Sequence, residues 1–196
     1  MMVVYYKTRE RSEEQNKRMT FEEKMITSET VYSGKVLNLR RDRVTTVNGE
    51  SYREVVEHSG GAVIVALTDD GKIVMVKQFR YAAGRVMLEV PAGKTDPGED
   101  PYETAARELR EETGYTASEL KLLTRMYPTP GYSKEVLSIF LARGLTPGET
   151  DFDDSEAIDL EYYTPDELEE MVLSGKIEDG KTQVAILLVT RLLKRR

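Results

Sequence analysis

The stretch GKTDPGEDPYETAARELREETGY, residues 93–115, decides how the rest of the chain is read. It opens as a loop rich in Gly and Pro, the residues that punctuate regular structure. Asp100 stands where an N-cap belongs, Pro101 suits the first helical position, and Glu103 follows the cap by three, as in a capping box. Gly114 is the natural stop. The spacing therefore predicts a helix over 100–113. Its charge pattern is odd. Glu108, Glu111 and Glu112 crowd the last turn, where a helix carries partial negative charge, and like charges at i,i+3 and i,i+4 repel one another.

On a wheel of roughly 100° per residue, Tyr102, Ala105, Ala106, Leu109 and Thr113 share one arc, the face expected to pack on a sheet. Glu111 falls near the opposite side, while Glu108 and Glu112 flank the packed arc. One reading is a solvated acidic face whose repulsion is offset by Arg107 and Arg110. The preceding loop favours another. It sets backbone carbonyls and Glu99 beside the same carboxylates, and oxygens converging without His or Cys suit a hard cation, Mg²⁺ or Mn²⁺. A divalent ion would cancel the repulsion.

Bulk composition limits the alternatives. The 196 residues suffice for one domain, or a domain with a small accessory unit, and a hydrophobic content of 39% can build a core. A net charge of −7 leaves no basic groove for a nucleic-acid partner. The absence of Cys excludes disulfides, zinc–thiolate sites and thiol nucleophiles, and the lone His58 excludes a histidine metal cluster. His58 itself reads as a structural or rim residue at a strand end. No run is apolar enough for a signal peptide or a membrane span. A cytoplasmic enzyme or binding protein with no membrane partner is expected.

Outward from the opening stretch the chain divides into three. Residues 1–24 are a charged extension, with Met19 and Met25 as alternative starts. Residues 25–58 are dense in β-branched side chains, and Asn48-Gly49 between two such runs predicts a hairpin. Residues 59–196 carry a second hairpin turning at Asp69–Gly71, the short apolar strand RVMLEV, and the loop and helix. Strands around 119–127, 135–142 and 158–163 come next, then a helix from Pro165 and a last helix from about Asp179. The order implies an α+β or α/β sandwich, with helices on both faces of a mixed sheet.

The stretch 93–115 also matches the Nudix box, Gly-x5-Glu-x7-Arg-Glu-U-x-Glu-Glu-x-Gly-U with U apolar. Gly93, Glu99, Arg107, Glu108, Leu109, Glu111, Glu112 and Gly114 fill it, and Tyr115 closes it. The resemblance implies a Nudix-type α/β/α sandwich, here with an N-terminal β-hairpin extension, that hydrolyses a nucleoside diphosphate linked to another moiety. By that likeness Glu108 and Glu112 ligate Mg²⁺ with the carbonyl of Ala92, and Glu111 shares a metal or a water. Glu99 and Arg107 resemble a buried pair that braces the loop, beginning at Gly93, against the helix.

Pro130, sixteen residues after Gly114 in PTPGY, resembles the proline that marks the ADP-ribose pyrophosphatases. YSGKV, REVVEH, VKQFR, EVPAGK and PTPGYSKE extend that likeness from about residue 25 onward. It implies substrate contacts from Arg53 and Glu54, a phosphate contact from Arg80, a place for Val36 along the adenine pocket, and a ribose contact from Glu135. The loop ETDFDDSE, residues 149–156, offers Glu149, Asp151, Asp153, Asp154 and Glu156 as general bases, of which Glu156 resembles the family's loop glutamate. The expected reaction is Mg²⁺-dependent cleavage of ADP-ribose to AMP and ribose 5-phosphate. Cleavage of another nucleoside diphosphate sugar, such as GDP-mannose, and binding without cleavage are the alternatives. A homodimer joined through residues 25–58 is expected, because unpaired strand edges invite association.

Overall fold

Strand β4 (Gly61–Leu67) shows how the chain builds two faces from one run of apolar residues. In the computed structural model, which describes residues 21–151 and 158–195, its side chains alternate between two separate cores. Ala62, Ile64 and Ala66 pack on one side with Ala105 and Leu109 of helix α1 (Pro101–Thr113). Val63 and Val65 pack on the other with Ala185, Ile186 and Val189 of helix α3 (Gly180–Leu193), and with Leu168 of helix α2 (Pro165–Leu173). A strand buried on both faces reads as a continuous hydrophobic run, and GAVIVAL is one. The expected sandwich with helices on both faces is present.

The described residues fall into two compact units that divide between Val55 and Val56. The first holds a three-stranded sheet in the order β1 (Met25–Ser33), β2 (Asn38–Thr46), β3 (Gly49–Glu57), with β1 and β2 antiparallel. All nine residues of β1 are exposed. The predicted Asn48-Gly49 hairpin joins β2 to β3, with Gly49 at φ 119°.

The second unit is built on a seven-stranded sheet. Its central path runs β10 (Asp159–Tyr163), β5 (Ile73–Arg80), β4, β9 (Leu137–Pro147), β8 (Tyr115–Met126). Only β4 and β9 are parallel; the other pairs are antiparallel. β4 and β5 pair only where Ala66 and Leu67 meet Val74 and Ile73, and then part. The chain that follows fills the gap: β6 (Arg85–Glu89) pairs with the rest of β5, and β7 (Ala92–Lys94) pairs with the start of β4. Glu89, Val90 and Pro91 therefore cross from one side of the split to the other. This split positions the site.

The wheel drawn from sequence needs one correction. The buried arc of α1 is Thr104, Ala105, Leu109, Glu112 and Thr113, whereas Ala106 is exposed and Tyr102 is half-exposed. Thr104 is buried because its hydroxyl bonds Glu99 at 3.0 Å and the Asp100 carbonyl at 3.1 Å, which folds the loop over it. Tyr102 still reaches the sheet edge-on, its ring centroid 4.9 Å from that of Phe140.

Candidate active site

Helix α1 begins as its sequence predicts. The Asp100 carboxylate accepts from the backbone N–H groups of Tyr102 (2.7 Å) and Glu103 (3.0 Å), and Glu103 accepts from Asp100 N–H at 2.9 Å. At the far end Gly114 takes φ 73°, a left-handed value that suits Gly. With both ends fixed, the last two turns present their acids in a defined register.

A single guanidinium organises those acids. Arg107 donates through Nε and Nη2 to the two oxygens of Glu99 (2.7 and 3.0 Å), through Nη1 to Glu108 (2.8 Å) and Glu111 (2.9 Å), and through Nη2 to the Lys94 carbonyl (3.0 Å). The Glu99–Arg107 pair expected from sequence is thus present, but it is only partly buried, with side chains 20% and 25% exposed. It lies at the loop surface because the loop before Asp100 is itself exposed. Hydrogen bonds from Arg107, the Asp96 amide and the Thr104 hydroxyl hold the Glu99 carboxyl well below the usual range, at about 2. Glu99 in turn raises Arg107.

Glu108 and Glu112 face the strands. A Cβ added to Gly93 would lie 1.9 Å from the Glu108 carboxyl carbon, so the absent side chain of Gly93 is the space that this carboxylate occupies. Glu112 is 3% exposed, buried rather than flanking the packed arc, and accepts from the Ala92 N–H at 3.0 Å. Burial of a carboxylate is tolerable here because the β7 backbone supplies that donor. Among the described residues no three acids or histidines converge into a ready-made metal cluster. The donor set nevertheless fits a hard cation: carboxylates and backbone carbonyls, a Gly that admits one carboxylate against the strand, and no soft ligand.

The split sheet opens a cleft of about 250 Å³ beside these acids, lined by His58, Gly61, Arg80, Ala92, Gly93 and Glu135, with Lys181 at the start of α3. Arg80 is anchored by a bidentate pair with Glu89, both contacts 2.7 Å, and Glu112 lies within its electrostatic reach. His58 Nδ1 accepts from Gly60 N–H at 3.0 Å and stands 3.6 Å from Glu135. The two are brought together because Val56 bonds Tyr132 and Lys134 through the backbone, at 2.8 and 3.0 Å.

Of the residues singled out from sequence, Arg80, Ala92, Gly93 and Glu135 line this cleft. Pro130 lines a neighbouring cavity with Tyr127, Ser133, Lys134 and Val136. Val36, Arg53 and Glu54 belong to the first unit: Val36 is exposed between β1 and β2, Glu54 is exposed on β3, and Arg53 pairs with Glu23. Asp153, Asp154 and Glu156 lie outside the described residues; the loop that leads to them is tied to α1 by Asp151 N–H to the Glu111 carbonyl at 3.1 Å. Glu89 and Lys181 went unnoticed in the sequence. A lone acid inside the apolar run RVMLEV is the signal that could have found Glu89, whereas nothing local marks Lys181.

The family model described as "NUDIX domain" matches residues 58–187. The chain is similar to an ADP-ribose pyrophosphatase of Bacillus subtilis (strain 168), 43% identical over 170 residues that cover 85% of this chain and 92% of that one. It is also similar to a methanol dehydrogenase activator of Bacillus methanolicus, 40% identical over 169 residues, 85% of this chain and 91% of that one. Among solved structures, the crystal structure of an ADP compounds hydrolase superposes with a TM-score of 0.79 at 23% identity, covering 89% of this chain and 95% of that chain. That likeness supports the fold.

Proposed function

The chain belongs to the NUDIX domain family, and from that premise we propose that it hydrolyses the diphosphate of ADP-ribose to AMP and ribose 5-phosphate, with Mg²⁺ as its ion. The family generally uses divalent metal ions. The observation that carries the reading is the Arg107 brace, which holds Glu99, Glu108 and Glu111 in one array, with Glu108 against Gly93 of the cleft that Arg80 also lines. The identity of 43% to an ADP-ribose pyrophosphatase supports the choice of substrate.

Glu108, Glu112 and the carbonyl of Ala92 would hold the ion, with Glu111 beside them. When bound, such an ion neutralises phosphate charge and lowers the pKa of a coordinated water. The rest is the chain's own work. Arg80, fixed by Glu89, offers a guanidinium to a phosphate within electrostatic reach of Glu112, so substrate and ion-holding carboxylates meet at one place. Gly93 keeps the strand close to Glu108. Glu135, beside His58 on the cleft wall, is suited to a sugar hydroxyl. Glu156 takes the proton from the attacking water by likeness to the family's loop glutamate, and the box acids remain with the ion.

Residues 25–58 are proposed as a dimerisation region, with 1–24 as an accessory extension and 59–196 as the hydrolase domain. The support is a sheet whose first strand is wholly exposed and which displays Met25, Val31, Tyr32 and Tyr52 to solvent. Val36 is proposed to line the adenine pocket, and Arg53, Glu54 and Pro130 to contact substrate. Among the described residues no helix is long and apolar enough to cross a membrane, and a cytoplasmic location is proposed. The test is a panel of ADP-ribose, GDP-mannose, NADH and diadenosine polyphosphates with Mg²⁺. ADP-ribose should be cleaved with the highest kcat/KM; a preference for GDP-mannose would keep the chemistry and overturn the substrate.

A further inference from the structure

Glu89 is the most deeply buried acid described, 1% exposed, and the reaction as described needs only one of its two cations. Arg80 meets it with a two-pronged guanidinium at 2.7 Å, which by itself neutralises the carboxylate. Burial alone would push Glu89 up, but Arg80 and Lys181 outweigh it and hold the group ionised. Lys181 arrives from 92 residues away and bonds the same Glu89 oxygen that takes Arg80 Nη2. Its ammonium is also bonded by Asp179 at 3.0 Å, the N-cap of α3, which shares that oxygen with the Thr182 amide at 2.9 Å.

The arrangement is directional. Arg80 and Lys181 line the cleft, whereas Glu89 and Asp179 do not, so the cluster turns its cations to the cavity and its anions to the protein. An ammonium has three donors, and two are committed to Glu89 and Asp179, leaving one for a ligand. Lys181 is only 15% exposed, so that donor works in a partly desolvated place where charge-assisted bonds are strong. The α3 N-terminus is fixed against the sheet, because Thr182, fully buried, accepts from the Val90 N–H at 3.1 Å. The lysine is therefore held in position before a ligand arrives. The cleft, at about 250 Å³, falls just below the ~300–1,000 Å³ of pockets that enclose a drug-sized ligand. It suits a phosphate with part of its sugar.

We propose that Lys181 is a second cationic contact for the substrate's diphosphate, set beside Arg80 by the shared buried Glu89, an inference that rests on the diphosphate-hydrolysis reading above. Arg80 and Lys181 bind substrate, and Glu89 is a positioning residue that fixes the distance between them. Both cations act on the ground state as well as the transition state, so loss of Lys181 weakens binding more than turnover.

The experiment compares the full-length protein with Lys181→Met and Lys181→Arg. It measures Mg²⁺-dependent hydrolysis of ADP-ribose, calorimetric binding of the α,β-methylene analogue of ADP-ribose, and thermal unfolding. Loss of one charge-assisted hydrogen bond predicts a rise of about ten- to a hundredfold in KM and in the analogue's Kd. kcat should stay within about threefold, and Lys181→Arg should recover most of the affinity. Should Lys181→Met not fold, Lys181→Gln is held to the same outcomes. Wild-type affinity in the neutral variants, or a fall in kcat and Tm with unchanged KM, overturns the proposal and makes Lys181 a brace for Glu89. A wild-type protein that binds the analogue but cleaves no ADP-ribose sinks the catalytic reading and leaves the Lys181 comparison decisive. One that neither binds nor cleaves sinks both.

Discussion

Replacing Arg107 by Ala removes the one side chain that touches Glu99, Glu108, Glu111 and the Lys94 carbonyl together. Breaking a fully buried ion pair costs about 3–5 kcal/mol. Arg107 and Glu99 are 25% and 20% exposed, so solvent screening brings the expected cost to about 2–3 kcal/mol. For a chain of this size that is a fall of about 4–12 °C in Tm. Its pH dependence follows from Glu99, whose folded value of about 2 lies below the ordinary carboxylate value of 4.5. A depressed acid contributes its stability above the unfolded pKa and loses it as pH falls through the folded one. The gap in Tm between wild type and Arg107→Ala should therefore be full above about pH 4.5 and narrow as pH falls toward 2. Circular dichroism melts across roughly pH 2.5–7 measure it, a span that runs from well above the unfolded value down toward the folded one. A gap below about 1 °C at neutral pH, or one that widens in acid, would refute the brace.

Two further outcomes follow from the same geometry. Gly93→Ala pushes a methyl into the Glu108 carboxylate, whose flexible end moves aside, so kcat/KM should fall by about 10²-fold with little change in Tm; full activity would show that Glu108 does not need its place against the strand. Glu156→Gln should lower kcat by about 10²–10⁴-fold with KM nearly unchanged, and Asp153→Asn should be far milder. The reverse pattern in steady-state kinetics would move the base to Asp153.

What the sequence disclosed and what it hid have separable causes. The capping box, the Gly114 stop and the Asn48-Gly49 hairpin are local patterns, and each appears in the structure as read. The helix wheel erred at Thr104 and Ala106 because it assumes that the sheet alone decides burial. The loop hydrogen-bonded through Glu99 buries Thr104 from another side. Glu112 looked like a flanking acid because a wheel cannot show the Ala92 N–H that lets it be buried. The split between β4 and β5 is a matter of pairing, invisible in either strand, and it is what brings Glu89 and Lys181 to one cleft.

The carboxylates of α1 are proposed to hold the ion beside which water attacks the diphosphate. Glu112→Gln keeps an oxygen to accept the Ala92 N–H, so the fold should survive while the charge is lost. The direct measurement is ADP-ribose hydrolysis with Mg²⁺, products resolved by chromatography, for wild type and Glu112→Gln, with and without chelator. Wild type should yield AMP and ribose 5-phosphate only with the ion, and folded Glu112→Gln should be slower by about 10²–10³-fold, the scale of losing a transition-state electrostatic contact. Wild-type turnover in chelator, or a folded Glu112→Gln with near-normal rate, would contradict the account.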